Sequence, residues 1–364
     1  MYLILHGFSR RNAGDGLLVD LTLQALADAG VDPQDCALLA LDPESFADLE
    51  GVHRAPGEPA ARPSLRLGIA GLELIADAIA LGRVARLTRG VRGLIAVGGG
   101  YLIADSAIRK MGVLFNHLVQ LRVAARSPMP TVYLPQSIGP LEGLVGRMTA
   151  RSLKSIDRLY VRDDQTLAEI SGNNTRRCAD LAVMKLAREM AVSPWQESGD
   201  QHTVIVGRDL PRPHNYVERL RQLARNVQSP LWAVQADVEG PRSDRAFYQR
   251  LGLNNAGPLA QMLATGRPGV VVSVRLHGAI AALIAGRPAI HLAYERKGWG
   301  AYEDLGIARF VHDARTFDPA KVAAQVKELH ENPGPLWAQV REAVPALRDQ
   351  YEDLVLDLRA RMVV

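Results

Sequence analysis

Cysteine is nearly absent: the 364 residues contain two, Cys36 and Cys178. They lie too far apart in sequence to form a metal-type spacing, and no cluster of His, Asp or Glu supplies one, so no metal is expected. No secretory signal is evident in the opening Met1-Tyr2-Leu3-Ile4-Leu5-His6. A reducing cytoplasm is therefore the expected compartment. Lysine is scarce too, six against 37 arginines at a net charge of +4, and no run of five or six like charges occurs. That distribution argues against a nucleic-acid partner. No apolar run is long enough to cross a bilayer; the nearest, 65–82, is broken by Glu73 and Asp77.

What remains is an ordinary globular composition, 48% hydrophobic and 23% charged, with length enough for two domains. The order of elements predicts an α/β protein with two Rossmann-like domains facing across a cleft. Residues 1–190 form the first domain and 191–334 the second. A helix over 335–364 is expected to return to the first. The chain opens with a strand at 2–6, a glycine-rich turn holding Asn12, Gly14, Asp15 and Gly16, and a helix over 17–29. This is the form of a phosphate- or nucleotide-binding unit, although it lacks the Gly-x-Gly-x-x-Gly fingerprint. Asp15 either caps the helix or meets a ligand.

Further strands are read at 36–41, 93–97, 131–134 and 158–161. The last three run into Gly98-Gly99-Gly100, Pro135-Gln136-Ser137-Ile138-Gly139-Pro140 and Arg162-Asp163. In a parallel sheet those ends share one edge, where ligands bind. The glycines either let a backbone approach a ligand or shape the turn. Residues 50–64, rich in proline, read as a loop. Residues 65–92 read as a basic amphipathic helix, suited either to an anionic membrane face or to a packed core.

The second half is organised around Gly269-Val-Val-Val-Ser-Val-Arg275-Leu276-His277-Gly278 and the alanine-rich helix that follows. The β-branched run is a buried strand. A cation and an imidazole at its end, on the first turn of a helix, sit where an anion would be held. The alternative is a capping arginine and a core histidine. Arg208 ends another strand (203–206), and Lys297 follows the strand at 287–294. Together these cations suit a small anion bearing carboxylate and phosphate.

Taken in order, Asn12-Ala-Gly-Asp15, Gly98-Gly99-Gly100, Pro135 to Pro140, Val161-Arg162-Asp163, Ala179-Asp180-Leu181, Ser273 to Gly278, and Gly286-Arg-Pro288 through Tyr294 and Lys297 resemble the polysaccharide pyruvyl transferases. The resemblance implies a glycosyltransferase-B-like fold. It also implies transfer of pyruvate from phosphoenolpyruvate, a substrate rather than a cofactor, to a sugar of a polysaccharide or its lipid-linked precursor. A ketal forms and phosphate is released. By the same resemblance Arg208, Arg275, Leu276, His277, Gly278 and Lys297 form the donor site, with His277 and Arg275 catalytic. Asn12, Asp15, Gly98, Gly99, Gly100, Gln136, Ser137, Arg162 and Asp163 face the acceptor or line the cleft. A lipid-linked acceptor would bring the protein to the inner face of the cytoplasmic membrane. The rival readings are a nucleotide-sugar glycosyltransferase of the same fold and a non-catalytic binder of anionic sugars.

Overall fold

In the computed structural model, residues 1–56, 90–192, 201–211, 213–238 and 243–363 are described. Their apolar strands assemble into two parallel sheets. Contacts divide the chain into two units: Met1–Arg10, Asp15–Asp180 and Glu352–Val364 form the first, and Arg11–Gly14 and Leu181–Tyr351 the second.

The first unit is built on β1 (Tyr2–Gly7), β2 (Cys36–Ala40), β3 (Val52–Arg54), β4 (Leu94–Ala96), β5 (Gly99–Ala104), β6 (Thr131–Leu141), β7 (Arg158–Val161) and β8 (Thr175–Arg177). The order is β3-β2-β1-β4-β6-β7-β8, with β5 also paired to β6. All six residues of β1 are buried, as a strand covered on both faces requires. Leu3, Leu5, Leu39, Leu94, Tyr133 and Leu159 join one apolar cluster.

Two readings of strand extent change. β3 lies within 50–64, and Pro135 to Pro140 continues β6 rather than ending it. The glycines explain the second case. β4 stops at Ala96, Gly98 passes against the carbonyl of Pro135, and β5 takes over as the partner of β6 from Gly99. The register of β6 against β7 slips between Tyr133 and Gln136, so Pro135 sits at an irregularity where its missing N–H is tolerated. The first helix begins at Ala13, not Leu17, and Asp15 lies in its first turn. The helix expected over 65–92 falls almost wholly outside the described residues.

The second unit orders its strands β11-β10-β9-β12-β13-β14: β9 (His202–Val206), β10 (Pro230–Val234), β11 (Gly257–Pro258), β12 (Pro268–Ser273), β13 (Ala289–Ala293) and β14 (Val311–Asp313). β12 and β13 are fully buried. The helix Leu181–Val192 packs on Leu276–Ile284 within this unit. A 29-residue helix, Gly334–Met362, passes from the second unit to the first. Within the first unit Asp357 accepts from Arg158 Nε at 3.0 Å and Tyr160 Oη at 2.8 Å, and Arg359 donates to the carbonyls of Asp28 and Ala29. Burial works to raise the Asp357 carboxyl, but Arg158 and Tyr160 hold it below its ordinary value. Among the described residues no helix is long and apolar enough to cross a membrane. Both cysteines are buried and neither is in a disulfide.

Candidate functional site

Strands β9, β12 and β13 are neighbours and parallel, so their carboxyl ends bring Arg208, the Arg275–Gly278 turn and Lys297 to one edge of the second unit. The turn after β12 is locked by its own backbone. Ser273 Oγ donates to the Arg275 carbonyl at 2.7 Å and accepts the Arg275 N–H at 3.1 Å. The same carbonyl takes the N–H groups of Gly278 and Ala279, which starts the helix Leu276–Ile284. Leu276 is buried beneath it.

Gly278 is a glycine because space demands it. A β-carbon there would stand 2.1 Å from Gln235 Oε1 and 2.8 Å from Ser273 Oγ. Asn12 and Gly14 belong to this same unit: Asn12 bridges Ala236, and Ala13 N–H donates to the Gln235 carbonyl. His277 is partly buried in the first turn of its helix, with Gly14 directly behind its ring.

The three cations are each engaged within the unit. Arg275 is buried, and its Nε–Nη2 edge is held by the wholly buried carboxylate of Asp244. Arg208 Nη1 donates to Tyr294 Oη while its guanidinium lies over that ring, 4.9 Å from the centroid. Two buried tyrosines fix the backbone there: Gly207 N–H donates to Tyr248 Oη at 2.6 Å, and Arg208 N–H to Tyr216 Oη at 3.2 Å. Lys297 pairs with Glu295 at 2.9 Å.

The candidate residues of the first unit sit differently. Gln136, Ser137, Arg162 and Asp163 are all buried. Gln136 Nε2 donates to the Val97 carbonyl at 2.7 Å and to Tyr101 Oη at 2.8 Å. Arg162 pairs with buried Asp180 and donates to Ser137 Oγ at 3.0 Å. Asp163 caps a helix at Thr166 N–H. These side chains brace β6 and β7 from inside. Gly99 and Gly100 open β5, while Gly98 and Asp15 lie as described above.

Three groups escape the sequence reading. Asp244 follows a capping Ser243, and a sequence alone cannot separate an acidic first turn from an arginine partner. His291 occupies the middle of apolar β13; Nδ1 donates to the Ser273 carbonyl at 2.8 Å, and Gly298 is packed against Nε2. Burial first, with Lys297 and His277 adding repulsion, presses its pKa down to about 4 against that hydrogen bond. In the first unit, His6 lies between His117 (Nδ1 to Nδ1, 3.2 Å) and Tyr133 Oη (2.9 Å). Burial and the neighbouring His117 lower its pKa. A polar residue inside an apolar strand was the only signal for either histidine.

The fold has solved counterparts. The structure of Anabaena Alr3699/HepE with UDP and glucose superposes with a TM-score of 0.58 at 13% identity, covering 100% of this chain and 98% of that one. Arabidopsis thaliana UGT89C1 with quercetin gives 0.57 at 11%, covering 100% and 99%. UDP-GlcNAc 2-epimerase from Neisseria meningitidis with UDP-GlcNAc gives 0.50 at 10%, covering 97% and 100%. The fold is that of the glycosyltransferase-B enzymes, in two α/β domains with parallel sheets. The model of one family, Polysaccharide pyruvyl transferase, matches residues 12–296, and the chain belongs to that family. No curated protein matches the chain.

Proposed function

We propose that the chain transfers pyruvate from phosphoenolpyruvate to two hydroxyls of a sugar in a polysaccharide or its lipid-linked precursor, forming a ketal and releasing phosphate. The observation that carries this reading is the Arg275-Leu276-His277-Gly278 turn. A buried arginine and a histidine backed by glycine stand together at a strand end, in a chain of this family.

His277 donates a proton to the methylene carbon, forming a C–H bond as the double-bond pair leaves the enol carbon. A sugar hydroxyl adds its oxygen to that electron-poor carbon and passes its proton to the now neutral imidazole. The C–O bond to phosphate breaks with its electron pair going to phosphate. A second hydroxyl then bonds to the carbon, and its proton ends on phosphate. Arg275 and Arg208 offset the charge of the carboxylate and of the departing phosphate, with Lys297 beside them. The scheme calls for no metal and no cofactor. A lipid-linked acceptor would bring this work to the cytoplasmic face of a membrane.

The test is incubation of the full chain with phosphoenolpyruvate and a panel of soluble and lipid-linked glycans. Acceptor-dependent phosphate release with a matching mass gain on the glycan is the expected result. Nucleotide release from an activated sugar would replace this reading with an ordinary glycosyl transfer. Donor binding without turnover on any acceptor would leave a binder.

A further inference from the structure

Asp244 accepts from both an arginine and the backbone of another loop, and the scheme above gives it no part. Its side chain is fully buried. Oδ1 accepts from Arg275 Nε at 2.9 Å and from Nη2; Oδ2 accepts from Nε at 2.9 Å, Gln235 N–H at 3.0 Å and Ala236 N–H at 2.9 Å. One anion therefore binds both the arginine after β12 and the backbone after β10.

That backbone reaches further. The Gln235 carbonyl takes the Ala13 N–H, Asn12 bridges Ala236, and Asp237 N–H donates to the Arg11 carbonyl. The Gln235 side chain stands against Gly278, and Gly14, two residues past Asn12, stands behind His277. All these residues belong to the second unit. Asp244 is thus joined by hydrogen bonds to the arginine and, through 235–237 and 11–14, to the wall behind the histidine.

We propose that Asp244 is a positioning residue for the pyruvyl transfer reaction. It occupies the Nε–Nη2 edge of Arg275 and so fixes the direction of the guanidinium, and it holds the segment that backs His277. The proposal rests on the transferase reading. It changes what that reading asks of Arg275: the edge best shaped for a carboxylate is already filled by the protein's own. The donor is then oriented by a guanidinium whose direction is set in advance, the condition under which positioning aids rate.

The test is a double-mutant cycle in the full chain, read by phosphoenolpyruvate binding in calorimetry and by phosphate release. Asp244→Asn keeps the shape and the backbone acceptor but drops the charge. It is expected to lower kcat/KM about thirtyfold to a hundredfold. Arg275→Lys should also lower it, and the double variant should be no worse than Arg275→Lys alone, because the charge that Asp244→Asn removes acts through the arginine while the hold on the backbone is kept. An Asp244→Asn protein within twofold of wild type, or losses that multiply, overturns the proposal.

Should Asp244→Asn fail to fold, nitrogen-edited spectra of the arginine side chains in the wild-type chain decide the matter. The Arg275 Nε–H signal should stay protected and unshifted as phosphoenolpyruvate saturates. A shift or loss of protection means the donor displaces Asp244, and the proposal falls. A wild type that neither binds phosphoenolpyruvate nor releases phosphate from it sinks the transferase reading itself, an outcome distinct from either of these.

Discussion

Gly14 stands so close behind His277 that a β-carbon at position 14 would lie 2.7 Å from Nδ1 and 3.0 Å from the histidine Cβ. Such separations are too short for atoms not bonded to one another, so an alanine there displaces the imidazole. Gly14 sits in a helix, where alanine is otherwise favoured by about 1 kcal/mol. Crowding a buried site costs about 1–3 kcal/mol, enough to cancel that gain, so Gly14→Ala should leave the melting temperature unchanged or lower and reduce turnover roughly tenfold to a hundredfold. Melting curves beside steady-state rates check this. A variant with normal turnover would mean that the placement of His277 is not under tight constraint.

His277 and Arg275 separate in their kinetics. His277→Gln keeps a polar side chain but removes proton transfer. It should depress turnover by roughly a hundredfold to ten-thousandfold with donor binding nearly intact. Arg275→Lys keeps charge and loses the planar guanidinium, so it should raise the donor concentration needed. Calorimetric titration with phosphoenolpyruvate beside rates for both variants distinguishes them. A folded glutamine variant with wild-type turnover would remove the histidine from the mechanism.

Acid should destabilise the protein before carboxylates titrate. The folded-state pKa of His291 is about 4, against about 6.5 in an unfolded chain. Above pH 6.5 both states are neutral at this site and its contribution is complete. As pH falls from 6.5 to about 4 the unfolded chain takes up a proton that the folded chain refuses, and stability is lost, roughly 3 kcal/mol in all. His6 is lowered as well and acts in the same direction. Urea midpoints at pH 7 and pH 5 measure the loss. His291→Gln should show a shallower dependence than wild type, and an unchanged slope would assign the effect elsewhere.

The brace in the first unit is a stability device. Asp180→Ala leaves the buried guanidinium of Arg162 without its carboxylate and should cost about 3 to 5 kcal/mol. Donor affinity per folded molecule should be unchanged. Denaturant unfolding checks the first statement and calorimetry the second.

Much of this could be read from residue order. Strands with continuous β-branched or apolar runs, such as β9 and β12, lie where the pattern puts them, because a strand buried on both faces admits little else. β6 misled for a local reason: two prolines and a glycine usually end a strand, and only the partner change between β4 and β5 makes them tolerable. Arg275 and His277 were legible as a pair, but the partner of Arg275 was not, since Asp244 is 31 residues away in sequence. Gln136, Ser137 and Arg162 stand in a motif at a strand end and are buried, and their partners Val97, Tyr101 and Asp180 could not be read from that motif. Position along a chain says little about the partner a side chain meets.

The first unit is interrupted. Its sheet is drawn from residues up to Asp180, but Tyr2 Oη donates to the Met362 carbonyl, and the Met362 thioether fills the space beside Gly93. Between the two parts lies the whole of 181–351. A ribosome delivers residues in order, and domains ordinarily fold as they emerge, the earliest first. Here the order of completion is reversed. The later-made unit has all its residues before the earlier-made one receives Glu352 to Met362, so during synthesis the first sheet must wait, with the ground beside Tyr2 and Gly93 uncovered, for a helix still inside the ribosome.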